Sequence, residues 1–142
     1  MSVAVNIADA VTEELNAAEW SLPLTAERLY VPSFELPDMN TLHVSVAPRA
    51  MEVVAADRQR NTQDVKIDVA VQKKFATGDA AEIDPLMALV EQIADFFHSR
   101  RLASYPNCCW IKTEHAPLYS QEHWDDLRQF TSVITFTWRV VR

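Results

Sequence analysis

Through the middle of the chain apolar and polar residues alternate. Val65, Ile67, Val69 and Val71 point one way, and Asp64, Lys66, Asp68, Ala70 and Gln72 point the other. This is the period-2 signature of a strand with one buried face. Upstream, Thr41 to Pro48 alternates in the same manner, with Leu42, Val44 and Val46 against His43, Ser45 and Ala47, and Met51 and Val53 continue that arm. Between the arms lie Ala55, Ala56, Asp57, Arg58, Gln59, Arg60, Asn61, Thr62 and Gln63, charged and without an apolar anchor. The pattern predicts two strands, the second spanning Asn61 to Gln72, joined by a long polar hairpin loop. Such a loop is too polar for a core, so it is exposed, mobile or pressed against a partner.

The flanking stretches switch period. From residue 3 to 18, Ile7, Val11 and Leu15 recur every four residues, with Ser2 placed to cap a helix. Val3, Val5 and Ile7 also alternate, so a strand start competes, but the Ala/Glu/Leu-rich continuation favours helix. Leu22-Pro23 ends it. Thr25 to Val31 reads as a strand with Leu29 and Val31 on one face and Arg28 and Tyr30 on the other. Pro32 and Pro37 then bracket a loop or sheet edge. After a turn region from Phe75 to Glu82, Asp84 is a good N-cap and Pro85 suits the first helical position. Leu86, Leu89, Val90, Ile93, Phe96 and Phe97 form the apolar stripe of that helix, with Arg100 and Arg101 where positive charge favours its C-terminal end. Cys108 to Glu114 predicts a strand, and Ser120 to Arg128 a short helix capped by Ser120. Thr131 to Val141 predicts a last strand with Ile134, Phe136, Trp138 and Val140 on its apolar face.

Together these elements predict a single α+β domain over residues 1–142, with one mixed or antiparallel sheet packed by two main helices. The chain has 142 residues, of which 49% are hydrophobic, enough for one core without metal or disulfide support. The longest apolar run is too short for a membrane span. The N-terminal residues lack the basic start of a signal peptide, so a protein that stays in the cytoplasm where it is made is expected.

Charge and composition exclude some chemistry. The net charge of −7 gives solubility and provides no basic field to grip nucleic acid. The single glycine, Gly78, excludes glycine-rich phosphate loops and dinucleotide fingerprints, which need several at fixed spacing. The adjacent Cys108 and Cys109 read as reduced thiols, at least one of them packed. His115 and His123 with either cysteine make a conceivable metal cluster, and a cysteine with a histidine base a conceivable nucleophile, yet neither has the spacing those sites use. Asp125-Asp126 reads as a pair of solvated positions. Trp138 belongs to the core face of the last strand, Trp110 and Trp124 can join it, and Trp20 is a candidate for exposure. No catalytic residue, metal ligand or cofactor is expected. The candidate site is a protein interface on the hairpin loop: Asp57, Arg58, Gln59, Arg60, Asn61, Thr62 and Gln63.

Three stretches taken together resemble neck and tail-completion proteins of long-tailed bacteriophages, especially tail terminators. They are the hairpin running into Asp64–Lys74, the helix Asp84–Phe97, and the Leu127–Trp138 segment that leads a polar turn straight into a terminal strand. The resemblance implies a structural virion protein, not an enzyme, that forms a ring of commonly six subunits. The ring caps the tail tube, stops its polymerisation and offers a docking surface to the head connector. Its partners would be itself, the tail tube protein and the connector and neck proteins. DNA would pass through the ring without specific binding, and no membrane would be involved. The protein would be made in the host cytoplasm and end in the virion. The resemblance places the 57–63 loop at an interface or facing the tube. A head-closure or other neck role is the alternative, and a small host module binding a small molecule or peptide is a second.

Overall fold

A computed structural model describes residues 2–30, 41–115 and 118–142. The elements in chain order are α1 (Val3–Ala17), β1 (Ala26–Arg28), β2 (His43–Ala55), β3 (Asn61–Lys74), α2 (Ala80–Phe97), β4 (Cys109–His115), α3 (Gln121–Leu127) and β5 (Gln129–Val141). The strands make one sheet in the order β1-β2-β3-β5-β4, with β1 parallel to β2 and every other neighbour antiparallel. The fold is α+β with a mixed sheet, as the alternating patterns predict.

Side-chain periodicity sets which face of the sheet carries the large apolar residues, while Ala47, Ala70, Gln72, Thr135 and Thr137 are buried on the other. Val65, Ile67, Val69 and Val71 of β3 pair with Trp138, Phe136, Ile134 and Ser132 of β5, and all eight are buried. Val44 and Val46 extend this face across β2. Helices α1 and α2 contribute Ile7, Val11 and Leu15, and Leu86, Leu89, Val90, Ile93 and Phe97, to the same core cluster. The ring of Phe97 stands 5.0 Å from that of Phe136 and 6.2 Å from that of Trp138, so α2 is seated on β5 through aromatic packing.

The first helix wins over the competing strand start because its four-residue stripe is buried and its ends are satisfied. Ser2 Oγ accepts from Val5 N at 3.3 Å, and Trp20 Nε1 donates to the Leu15 carbonyl at 2.8 Å. Asn16 then acts as a strand partner for Ala26: its Nδ2 donates to the Ala26 carbonyl at 3.0 Å and its Oδ1 accepts from Ala26 N at 2.7 Å.

Several expectations are corrected. Strand β1 is shorter than the predicted Thr25–Val31. Ala26 and Arg28, not Leu29, share register with the core-facing Val44 and Val46. Arg28 is tolerated there because it pairs with Asp9 on α1 and lies 4.9 Å over the Tyr30 ring. The predicted Val31 face and the Pro32–Pro37 loop lie outside the described residues. Helix α2 starts earlier than Asp84. Asp79 is its N-cap, accepting from Glu82 N at 3.1 Å, and Pro85 lies inside the helix. Gly78 at φ +72° turns the chain just before the cap. Glu82 takes the N–H groups of Ala76 and Thr77, so this arriving segment is fastened to the first turn. Arg100 lies beyond the helix end. Its guanidinium forks onto Glu14 of α1 at 3.0 and 2.8 Å and covers the Phe96 ring at 3.9 Å.

Candidate protein interface

A run of 13 residues in β2 and 14 in β3 is about 45 Å of strand. A 15-residue helix such as α1 is only about 22 Å long. The strands therefore outrun the layer that buries them. In β2, residues 44–47 are buried, whereas 49–55 are exposed on both faces. In β3, Asn61 to Asp64 are half-buried and the dry run begins at Val65. The free half of the hairpin projects as an arm, braced along one side by the end of β5.

This arm is ordered by its own side chains. The predicted long polar loop is corrected to a short turn at residues 56–60. Asn61, Thr62 and Gln63 belong to β3, facing Ala55, Val54 and Val53 of β2, and Thr62 and Gln63 also face Val141 and Val140 of β5. Asp57 Oδ1 accepts from the N–H groups of Gln59 and Arg60, each at 2.8 Å, while Arg60 Nε donates to Oδ2 at 2.9 Å. These bonds, the Gln59 N–H first, hold the Asp57 carboxyl below its ordinary pKa. Arg58 and Gln59 stand exposed at the tip. At the base, Arg139 forks onto Asp64 at 2.8 and 3.0 Å and lowers its pKa. Asn61 and Arg142 exchange both backbone hydrogen bonds, which pins Arg142 against the arm.

The arm also carries apolar residues that face water. Met51 is 43%, Val53 54%, Val54 53% and Val141 51% exposed. A register shift between Pro48 and Ala50 decides where they point. It inserts Arg49, so that Met51 pairs with the core-facing Val65 although Pro48 pairs with the core-facing Ile67. Met51 and Val53 thus continue the core face beyond the helices, and Val54 and Val141 flank Thr62 on the opposite face. Sequence reading placed Met51 and Val53 on the strand but missed them as site residues. The available signal was the Val53-Val54 pair, since consecutive apolar residues on a strand must present one side chain to each face.

Arg49, Arg58, Arg60, Arg139 and Arg142 outnumber Glu52, Asp57 and Asp64 on the arm and its brace, while the whole chain is at −7. On the sheet face opposite the core, Glu52, Asp64, Lys66, Lys112, Thr137 and Arg139 line an open groove of about 480 Å³. Further along that face Asp68 accepts from Thr135 Oγ1 at 2.7 Å with Arg49 3.7 Å away, and burial raises its pKa.

The remaining sequence candidates fall elsewhere. Cys108 is buried and its thiol is pushed up to about 11 by desolvation, then by Cys109, so it is protonated at neutral pH. Cys109 is exposed on the β4 edge. His115 is on β4, and His123 on α3 contacts Thr131 Oγ1 at 2.9 Å. Among the described residues no group of three or more His, Cys, Asp or Glu side chains is placed to hold a metal ion. Asp125 and Asp126 are exposed on α3, and Asp84 caps nothing. Trp138 is fully buried; Trp20, Trp110 and Trp124 pack against the core at partial exposure. No helix among the described residues is long and apolar enough to cross a membrane. In comparisons with known proteins, no family model and no curated protein matches the chain.

Proposed function

We propose that the chain is a structural protein of a tailed-phage virion, a ring-forming tail terminator that caps the tail tube and joins it to the head connector. The observation that carries this reading is the projecting, internally braced hairpin arm, with Met51, Val53 and Val54 facing water and five arginines at or beside it. Scattered exposed apolar residues are ordinary, but several on one ordered arm suit a contact surface. The three stretches that carry the family resemblance also meet in one sheet and its covering helix. Function is then assembly. A ring needs a head-to-tail interface, and its energy comes from buried area and a few anchors. Head closure or another neck role is the alternative within this class.

Light scattering across a concentration series, with negative-stain images, tests the reading. A closed species of about six subunits with a central hole is expected, and added tail tubes should be capped and fixed in length. A monomer at every concentration that is also indifferent to tubes overturns it. The groove beside Asp64 favours a second reading, a small binding module, which that monomeric outcome would promote.

A further inference from the structure

We propose that copies of this chain join edge to edge, the β4 edge of one copy pairing with the free half of β2 in the next, so that the sheet runs on between subunits. The inference rests on the ring reading above and names the surface that closes it.

Among the described residues, both edges of the sheet lack a further strand partner. Strand β1 covers only Val44 to Val46 of β2. Beyond it Arg49 to Ala55 are exposed, and among the described residues no strand pairs with their outer side. At the other end β4 is the last strand of the sheet. Its seven residues match the seven from Arg49 to Ala55 in length. An exposed edge is a template for another strand, and proteins usually blunt one with proline, charge or a bulge. On β2 the proline and the bulge come at Pro48 and Arg49, before the free stretch, and leave Met51, Val53 and Val54 open.

Direction and face also agree. Three successive antiparallel pairings separate β2 from β4, so the two run oppositely. A copy set beside another with its helices on the same side therefore offers β4 antiparallel to β2. Glu52 pairs with Asp64 and Lys112 pairs with Thr137, which puts both on the face opposite the core. Setting Glu52 against Lys112 joins opposite charges and places Met51 beside Thr113. The register shift between Trp110 and Lys112 then brings Val53 beside Trp110 and Val54 beside Cys109, each on matching faces. A two-fold pairing of β2 with itself centred here would instead set two Glu52 carboxylates face to face. The head-to-tail arrangement leaves one free edge on each copy for the next, which is what ring closure requires.

A cysteine placed at the predicted junction tests this. In Val54→Cys the new thiol meets the exposed native Cys109 of the next copy. Mild oxidation should give a ladder of covalent multimers ending at ring size on a non-reducing gel, about tenfold more than wild type, and adding Cys109→Ser should abolish it. Separately, Glu52→Lys and Lys112→Glu should each raise the concentration needed for assembly about tenfold, and the double variant should restore it. Rings without cross-links, from charge variants that assemble as wild type does, overturn the edge junction and leave the ring reading standing. Cross-linking that survives Cys109→Ser shows that the introduced thiol reaches a different partner and also overturns it. A wild-type chain that stays monomeric alone and with tail tubes takes down the ring reading and this inference together.

Discussion

At the scale of single residues, the core face of β5 carries the largest side chains and the clearest stability prediction. Trp138 is fully buried between β3 and α2, so Trp138→Ala should lower unfolding free energy by about 3–5 kcal/mol in denaturant titration. An unchanged midpoint would mean the aromatic packing is wrong. Two aspartates on the opposite face should respond to pH with opposite signs. Asp64 is held low by the Arg139 fork, so its contribution is complete above the ordinary carboxyl range and is lost as pH falls through its lowered folded pKa. The pair is partly exposed, so Asp64→Asn should cost only about 0.5 kcal/mol at neutral pH. Asp68 is raised by burial, so its ionisation costs stability, and that cost grows as pH rises from the ordinary value through the raised folded one. Asp68→Asn should therefore be more stable than wild type at pH 7, with the gap closing near about pH 4. A pH-independent gap would show that the Thr135 and Arg49 contacts offset the desolvation.

At the scale of elements, α2 shows how a sequence signal can point to the wrong turn. Asp84-Pro85 has the chemistry of a helix start, but Asp79 offers the same cap earlier, and Gly78 lets the chain reverse into it. The helix then runs through Pro85, which removes the N–H that residue 81 would accept. Asp79→Ala should cost about 1 kcal/mol. Pro85→Ala, at an exposed position, should raise the melting temperature, with a gain of about 1–3 kcal/mol. A loss on Pro85→Ala would indicate that the fixed proline backbone, through the unfolded chain, outweighs the restored helical bond. The hairpin shows the converse error. Asn61, Thr62 and Gln63 look like loop because they are polar, yet they are strand because β5 continues alongside them to Val141 and Ala55, Val54 and Val53 face them across the hairpin.

At the scale of the whole molecule, the arm matters because it extends past the helices. Its apolar residues contribute little to the fold, so Met51→Lys with Val53→Lys should leave the melting temperature unchanged while weakening assembly. Circular dichroism melts and light scattering on the same sample separate the two effects. Assembly through paired charges should also weaken as salt rises from about 0.05 to 0.5 M, since screening shortens to a few ångströms. Assembly indifferent to salt would favour apolar contacts alone.

Period and propensity in the sequence determined the α+β class, the two long helices, the faces of β3 and β5 and the capping of α1 and α3. Those features depend on neighbours within a few positions, where the side to which a residue points follows directly from the repeat. Only the tertiary structure decided the order β1-β2-β3-β5-β4, the bulge at Arg49 that turns Met51 onto the core face, and the point along the hairpin where burial stops. The candidate interface was legible as a polar stretch at Asp57 to Gln63. Its apolar half was not, because whether Val53 and Val54 meet a core or water depends on how far the helices reach along the sheet, a length that no local pattern records.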